Sequence, residues 1–126
     1  AIKAFGQASY LKWKRVNDGL KTSIAFAKKY KIKFAFGTDL FGDALPRLTT
    51  EFTARKEYFS DSEILRQATS INGELLTLTG DLNPYPDGPL GVIEVGAYAD
   101  LLLIEGNPLE NIELLTDPGK NLKVIM

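Results

Sequence analysis

The sequence contains no cysteine and no histidine. The first absence rules out disulfides and thiol nucleophiles but leaves the redox compartment open. The second removes the commonest metal ligand and the one side chain that ordinarily titrates near neutrality. Any metal or acid–base chemistry drawn from these residues alone must therefore use carboxylates. Charge of one sign is also missing: 15 basic residues face 16 acidic ones, for a net charge of −1. That balance gives no drive toward nucleic acid or an anionic membrane. No apolar run approaches the length of a membrane span. The apolar run at 101–104 is only strand-length. No internal repeat or low-complexity segment is present. The first residue is Ala1 and no signal peptide is visible, so both a cytoplasmic and an exported location stay open.

What is present is ordinary for a soluble globular chain: 126 residues, 44% hydrophobic and 25% charged. The chain is organised around residues 30–42. Ile32, Phe34 and Phe36 alternate with Lys33 and Ala35, which predicts a strand over 32–36. A polar turn follows at Gly37-Thr38-Asp39. Helical patterns lie on both sides, so the expected class is α/β. In such folds ligand chemistry gathers at the carboxyl ends of strands, and that makes Asp39 the candidate site residue. Its competing reading is a turn former. Lys33 reads better as a solvent-reaching side chain with a packed stem than as a base.

Residues 1–29 carry Trp13, Val16, Leu20, Ile24 and Ala27 at spacings of three and four, one face of a helix. Trp13 is expected to face the core rather than a ligand. At Asn17-Asp18-Gly19 two outcomes are open. The helix runs through at a cost of about 1 kcal/mol for the glycine, or Asp18 caps a second helix. A loop over 40–46 and a short helix over 48–58 follow. Ser60-Asp61-Ser62-Glu63 fits a capping box, opening a helix over 61–78 with the stripe Ile64, Leu65, Ala68, Ile71, Leu75, Leu76 and Leu78, stopped by Gly80. Residues 81–91 hold three prolines and two glycines and read as a linker. Beyond it, 92–95, 101–105 and 122–126 read as short strands, and 111–115 as a helical turn or a strand. The expected organisation is thus a first domain over 1–80, a linker over 81–91 and a small β domain over 92–126. Asp100 reads as a turn former, Asp43, Glu51 and Glu57 as solvated, and Tyr85 as a residue that could reach a partner. One strand among several helices leaves backbone groups unsatisfied on both edges.

Several motifs in order carry a resemblance: Phe36-Gly37-Thr38-Asp39, Ala68-Thr69-Ser70, Glu74-Leu75-Leu76, the run from Leu90 through Gly96, Ala99 through Leu103, Gly106 through Ile112, and Asn121 through Met126. Together, over nearly all of residues 18–126, they resemble the carboxyl-terminal third of a metal-dependent amidohydrolase, in the branch of prolidase-like and imidazolonepropionase-related enzymes. No motif is decisive alone. The resemblance implies the terminal part of a distorted (β/α)8 TIM barrel plus part of a small β-sandwich. In it, 32–36 is similar to the eighth barrel strand and 61–78 to the helix after it.

What the family does would then be hydrolysis of amide or other carbon–nitrogen bonds, in dipeptide-like or cyclic-amide-like small molecules, by a water bound to a divalent metal such as zinc. The resemblance assigns Asp39 the catalytic place at the end of the eighth strand, where an aspartate touches the metal-bound water and moves its proton. It also makes Asp39 a possible metal ligand, but only together with histidines from earlier strands. Leu40, Phe41 and Gly42 would line the mouth of the barrel. The histidines are absent here, and Gly73 and Thr77 stand where the family more often has alanine and glycine. These departures imply truncation at both ends, a chain that holds no metal and is inactive alone, and exposed surfaces that favour a homo-oligomer. The alternative is a non-catalytic chain whose exposed strands mediate self-association or partner assembly. Neither reading involves nucleic acid or membrane, and neither identifies the substrate.

Overall fold

A computed structural model describes residues 2–126, with side chains from Gly6 onward. The chain divides into two compact units, Ala1–Lys33 and Phe34–Met126.

The first unit is one long helix, α1 (Ile2–Lys29), kinked at Gly6, where φ is 73°. The helix runs through Asn17-Asp18-Gly19. Asp18 does not cap; it accepts from Lys14 Nζ at 2.8 Å, one turn back. That bond holds the Lys14 ammonium above its ordinary pKa. The helix closes on paired backbone bonds, Lys31 N–H to the Lys28 carbonyl and Ile32 N–H to the Ala27 carbonyl, with Lys31 in the left-handed region. The expected core face is largely uncovered. Trp13 is 57% exposed and stacks on Tyr10, and Val16 and Leu20 are exposed as well, whereas Ile24 is buried. Periodicity correctly marks the apolar stripe, but a stripe is buried only where a second layer meets it.

In the second unit, the expected loop over 40–46 contains a 3-10 turn, Gly42–Arg47, followed by α2 (Thr50–Arg55), which is shorter than 48–58. The capping box forms as expected: Glu63 N–H donates to Ser60 Oγ and Ser60 N–H donates to Glu63 Oε2. It opens α3 (Asp61–Arg66), which continues through a π-turn (Gln67–Ile71) into α4 (Asn72–Thr77). Gly80 lies just beyond, at φ 57°. Residues 111–115 resolve as helical, in a 3-10 segment Ile112–Thr116 capped by the Asn111 side chain. That segment packs on α2 and α3, and the core of the unit is Phe59, Ile64, Ile112 and Leu115. Polar ties surround it. Ile112 N–H donates to Asp61 Oδ2 at 3.0 Å, the Thr49 hydroxyl donates to the Thr116 carbonyl at 3.1 Å, and Lys56 pairs with Glu113.

The proline-rich stretch 81–91 returns against the helix. The Leu90 carbonyl lies where a Cβ on Gly73 would be, and Gly91, at φ 70°, sits on the Thr69 backbone. Glycine at 73 is thus a packing requirement, because any side chain there meets backbone.

The only sheet among the described residues is two-stranded and antiparallel, β1 (Leu102–Ile104) with β2 (Leu122–Ile125). Leu102 faces Ile125 and Leu103 faces Val124, with an irregularity before Ile104. These four side chains are all exposed. Short α5 (Pro118–Asn121) leads into β2. Two expected strands are not formed. Residues 92–95 make bends and turns with Ile93 and Val95 exposed, and residues 32–36 are extended but belong to no ladder. A strand exists only with a hydrogen-bonding neighbour, and among the described residues none reaches either segment. The fold is therefore a mixed helix and sheet arrangement. None of its helices is long and apolar enough to cross a membrane among the described residues.

Candidate functional site

The site is built from the segment that leaves residue 34. Phe34 packs edge-on against Phe59, with ring centroids 4.9 Å apart, and Phe36 packs on Phe52 at 4.7 Å. Alternation thus points both rings at α2 and its flank, as the period of two requires. Among the described residues no backbone-to-backbone bond reaches residues 34–39. Side chains take that place. Asn72 accepts from Phe36 N–H at 2.8 Å and donates to the Phe36 carbonyl at 3.0 Å. Arg55 Nη1 donates to the Ala35 carbonyl at 3.0 Å and to Gln67 Oε1 at 2.6 Å. Arg55 Nε donates to Glu51 Oε1 at 2.6 Å, and the guanidinium lies over the Phe36 ring.

This network corrects one expectation. Glu51 is not solvated; its side chain is 23% exposed and faces a guanidinium that is 15% exposed. The pair sits between α2 and the extended segment, where a shielded ion pair is electrostatically stronger than on the surface. Gln67 is buried at 3% exposure, with its carbonyl oxygen on Arg55. Arg55, Gln67 and Asn72 were not singled out by sequence reasoning. A signal existed: Gln67 lies three residues after Ile64, on the apolar stripe, and a polar residue on a core face needs a partner.

Asp39 lies three residues beyond the clamped Phe36. It is exposed and adopts the left-handed conformation, φ 54°. The Thr38 hydroxyl accepts from Leu40 N–H at 3.2 Å and closes the turn beneath it. Leu40 is half-buried, Phe41 is exposed and Gly42 has φ 58°. The four predicted site residues thus form one continuous turn at the carboxyl end of the extended segment, exposed except at Leu40. No other acid, and no cation, bonds to the Asp39 carboxylate among the described residues. Asp43 and Asp100 are exposed, as expected of solvated or turn acids. Lys33 is exposed too.

Elsewhere, Asp87, Gly96, Ala97, Tyr98 and Ala99 line a shallow open cleft of about 320 Å³. Its lining excludes residues 39–42. Tyr85 packs edge-on to Tyr98 beside it.

Among the described residues no group of three or more acids could hold a metal ion. Asp39 offers one carboxylate, whereas a divalent cation takes four or more donors. The residues present therefore do not fit a resident metal by themselves.

Comparison with known proteins gives no match to any family model and none to a curated protein. Solved structures do match. A crystal structure of an amidohydrolase is 33% identical with a TM-score of 0.69. That of an uncharacterized protein is 34% identical at 0.69, and that of a prolidase complexed with N-methylphosphonate-L-proline is 34% identical at 0.68. Each match covers 83% of this chain and 24% of the other, so this chain spans about a quarter of the length of the structures it matches.

Proposed function

We propose, from the premise that this chain is a carboxyl-terminal portion of an amidohydrolase, that it supplies the closing strand and the acid–base carboxylate of a hydrolase of carbon–nitrogen bonds. The observation that carries this reading is the likeness to amidohydrolase and prolidase structures at 33% and 34% identity over 83% of the chain. In this reading residues 32–36 are the last strand of a barrel whose other strands lie outside this sequence, and the two-stranded sheet is part of a sandwich. The lack of any backbone ladder at residues 34–39 among the described residues supports it, since a barrel strand is paired by neighbouring strands. Dipeptide-like substrates containing proline lead the substrate class, by the likeness to the prolidase.

In this reading Asp39 carries the proton transfer. It lies in the left-handed turn that follows the extended segment, and substrates bind at the carboxyl ends of strands in α/β folds. An ionised carboxylate can accept a proton from an attacking water and return it to the leaving nitrogen. Exposed in this chain, the carboxylate needs the remaining walls of the site to exclude water and bring a substrate within hydrogen-bond reach.

The test has two arms. The 126-residue chain, dialysed against Zn²⁺ and assayed with a proline dipeptide, is expected to retain less than stoichiometric metal and show no turnover. In a polypeptide where this sequence completes the other three quarters of an amidohydrolase, Asp39→Asn is expected to lower kcat by roughly 10²–10⁴-fold. Stoichiometric zinc with turnover in the short chain would overturn the partial-site reading; full turnover in Asp39→Asn would remove the aspartate from the chemistry.

A further inference from the structure

We propose that Asn72, at the end of the π-turn, is the positioning residue for Asp39, gripping both backbone groups of Phe36 from the helix. The proposal deepens the reading of Asp39 as the working carboxylate and rests on it.

Three observations carry the argument. The first is the bond pattern. A primary amide presents a donor and an acceptor side by side, as the edge of a peptide does. Asn72 uses both on one residue, taking the Phe36 N–H at 2.8 Å and giving to the Phe36 carbonyl at 3.0 Å. That is the exchange a strand partner makes in a hydrogen-bonded pair.

The second is helix geometry. Gln67 and Asn72 are five residues apart, and at 3.6 residues per turn such positions point roughly 140° apart. The π-turn at Gln67–Ile71 is wound for i→i+5 bonding. It brings both side chains to the same stretch, Asn72 on Phe36 and Gln67, through Arg55, on the Ala35 carbonyl. The widened turn is held from outside by Gly91, which packs on the Thr69 backbone.

The third is the short path to Asp39. Phe36 is clamped by Asn72, and residues 38 and 40 are tied by the Thr38 hydroxyl. Gly37 is the one joint between those two fixed points, and Asp39 rides within the second. Freedom at Phe36 therefore passes directly to the turn that aims the carboxylate.

Amide hydrogen exchange and NMR spectra of the isotopically labelled 126-residue chain test the proposal. In Asn72→Ala the Phe36 amide is expected to exchange at least tenfold faster, and the signals of residues 37–41 to move, while amides of 61–66 keep their protection. If Asn72→Ala does not fold, the near-isosteric Asn72→Asp serves. It keeps an acceptor for the Phe36 N–H but offers no donor to the carbonyl, so Phe36 stays protected while the signals of 37–41 shift. Unchanged Phe36 exchange in Asn72→Ala, or unmoved signals at 37–41 in either variant, overturns the proposal. These readouts need no turnover. A full-activity Asp39→Asn would sink the proposed function while leaving the clamp intact, and an unaffected Phe36 would sink the clamp alone.

Discussion

Residues 34–36 and 102–104 are both short, extended and apolar, and they are held in opposite ways. The first has no strand beside it among the described residues, yet its backbone is gripped by Asn72 and Arg55 and its rings are packed against Phe52 and Phe59. The second has a paired strand, but Leu102 and Leu103, with Val124 and Ile125 opposite, lie open. Backbone pairing and side-chain burial are thus separable. A ladder alone leaves a two-stranded sheet marginal, whereas packing and a side-chain clamp can fix an extended segment with no ladder.

The contrast can be broken most sharply by truncation on each side. Ile64 is fully buried in the core that supports the clamped segment, so Ile64→Ala is expected to cost about 2–5 kcal/mol in urea unfolding. Leu103 is 60% exposed, so Leu103→Ala should stay within about 0.5 kcal/mol. Equal losses would mean that the sheet is covered in solution and that the difference between the two regions is not real.

A smaller effect sharpens the helical side. Ser60→Ala removes the acceptor for Glu63 N–H and is expected to cost about 1 kcal/mol, read as a lower urea midpoint with an unchanged slope. The smallest effect lies in the sheet. Glu105 pairs with Lys123 at 2.5 Å, and the ammonium lowers its pKa below the ordinary glutamate value. A group whose folded pKa is depressed stabilises the fold above its unfolded pKa, and that contribution disappears as pH falls through the folded value. Signals of β1 and β2 should therefore loosen only below about pH 4.3, the ordinary glutamate value, and Glu105→Gln should abolish that step. Loosening at higher pH would point to a different ion pair.

Much of the second unit was legible residue by residue. The capping box at Ser60 and Glu63, the helix over 61–78 and the pairing-prone segments near 102 and 122 depend on neighbours close in the chain, and each was found where the pattern placed it. Other features were not legible. Trp13 lies on a well-formed stripe and is still exposed. Glu51 looks like any surface acid until Arg55 is seen to turn inward onto Ala35 and Gln67. Gly73 departs from the expected alanine because the Leu90 carbonyl, 17 positions later, occupies the place of its Cβ.

The sequence by itself determined where helices start and stop, which faces are apolar, that no thiol or imidazole is available, and that Asp39 follows an extended segment in a turn. Only the tertiary structure decided which apolar faces are covered, that residues 32–36 join no ladder among the described residues, and that Asn72 bonds both backbone groups of Phe36. The physical reason is range. Caps, turns and periodicity are set by contacts within about one helical turn. Burial and pairing are set by whichever distant residue arrives opposite, and Asn72 meets Phe36 across 36 positions of chain.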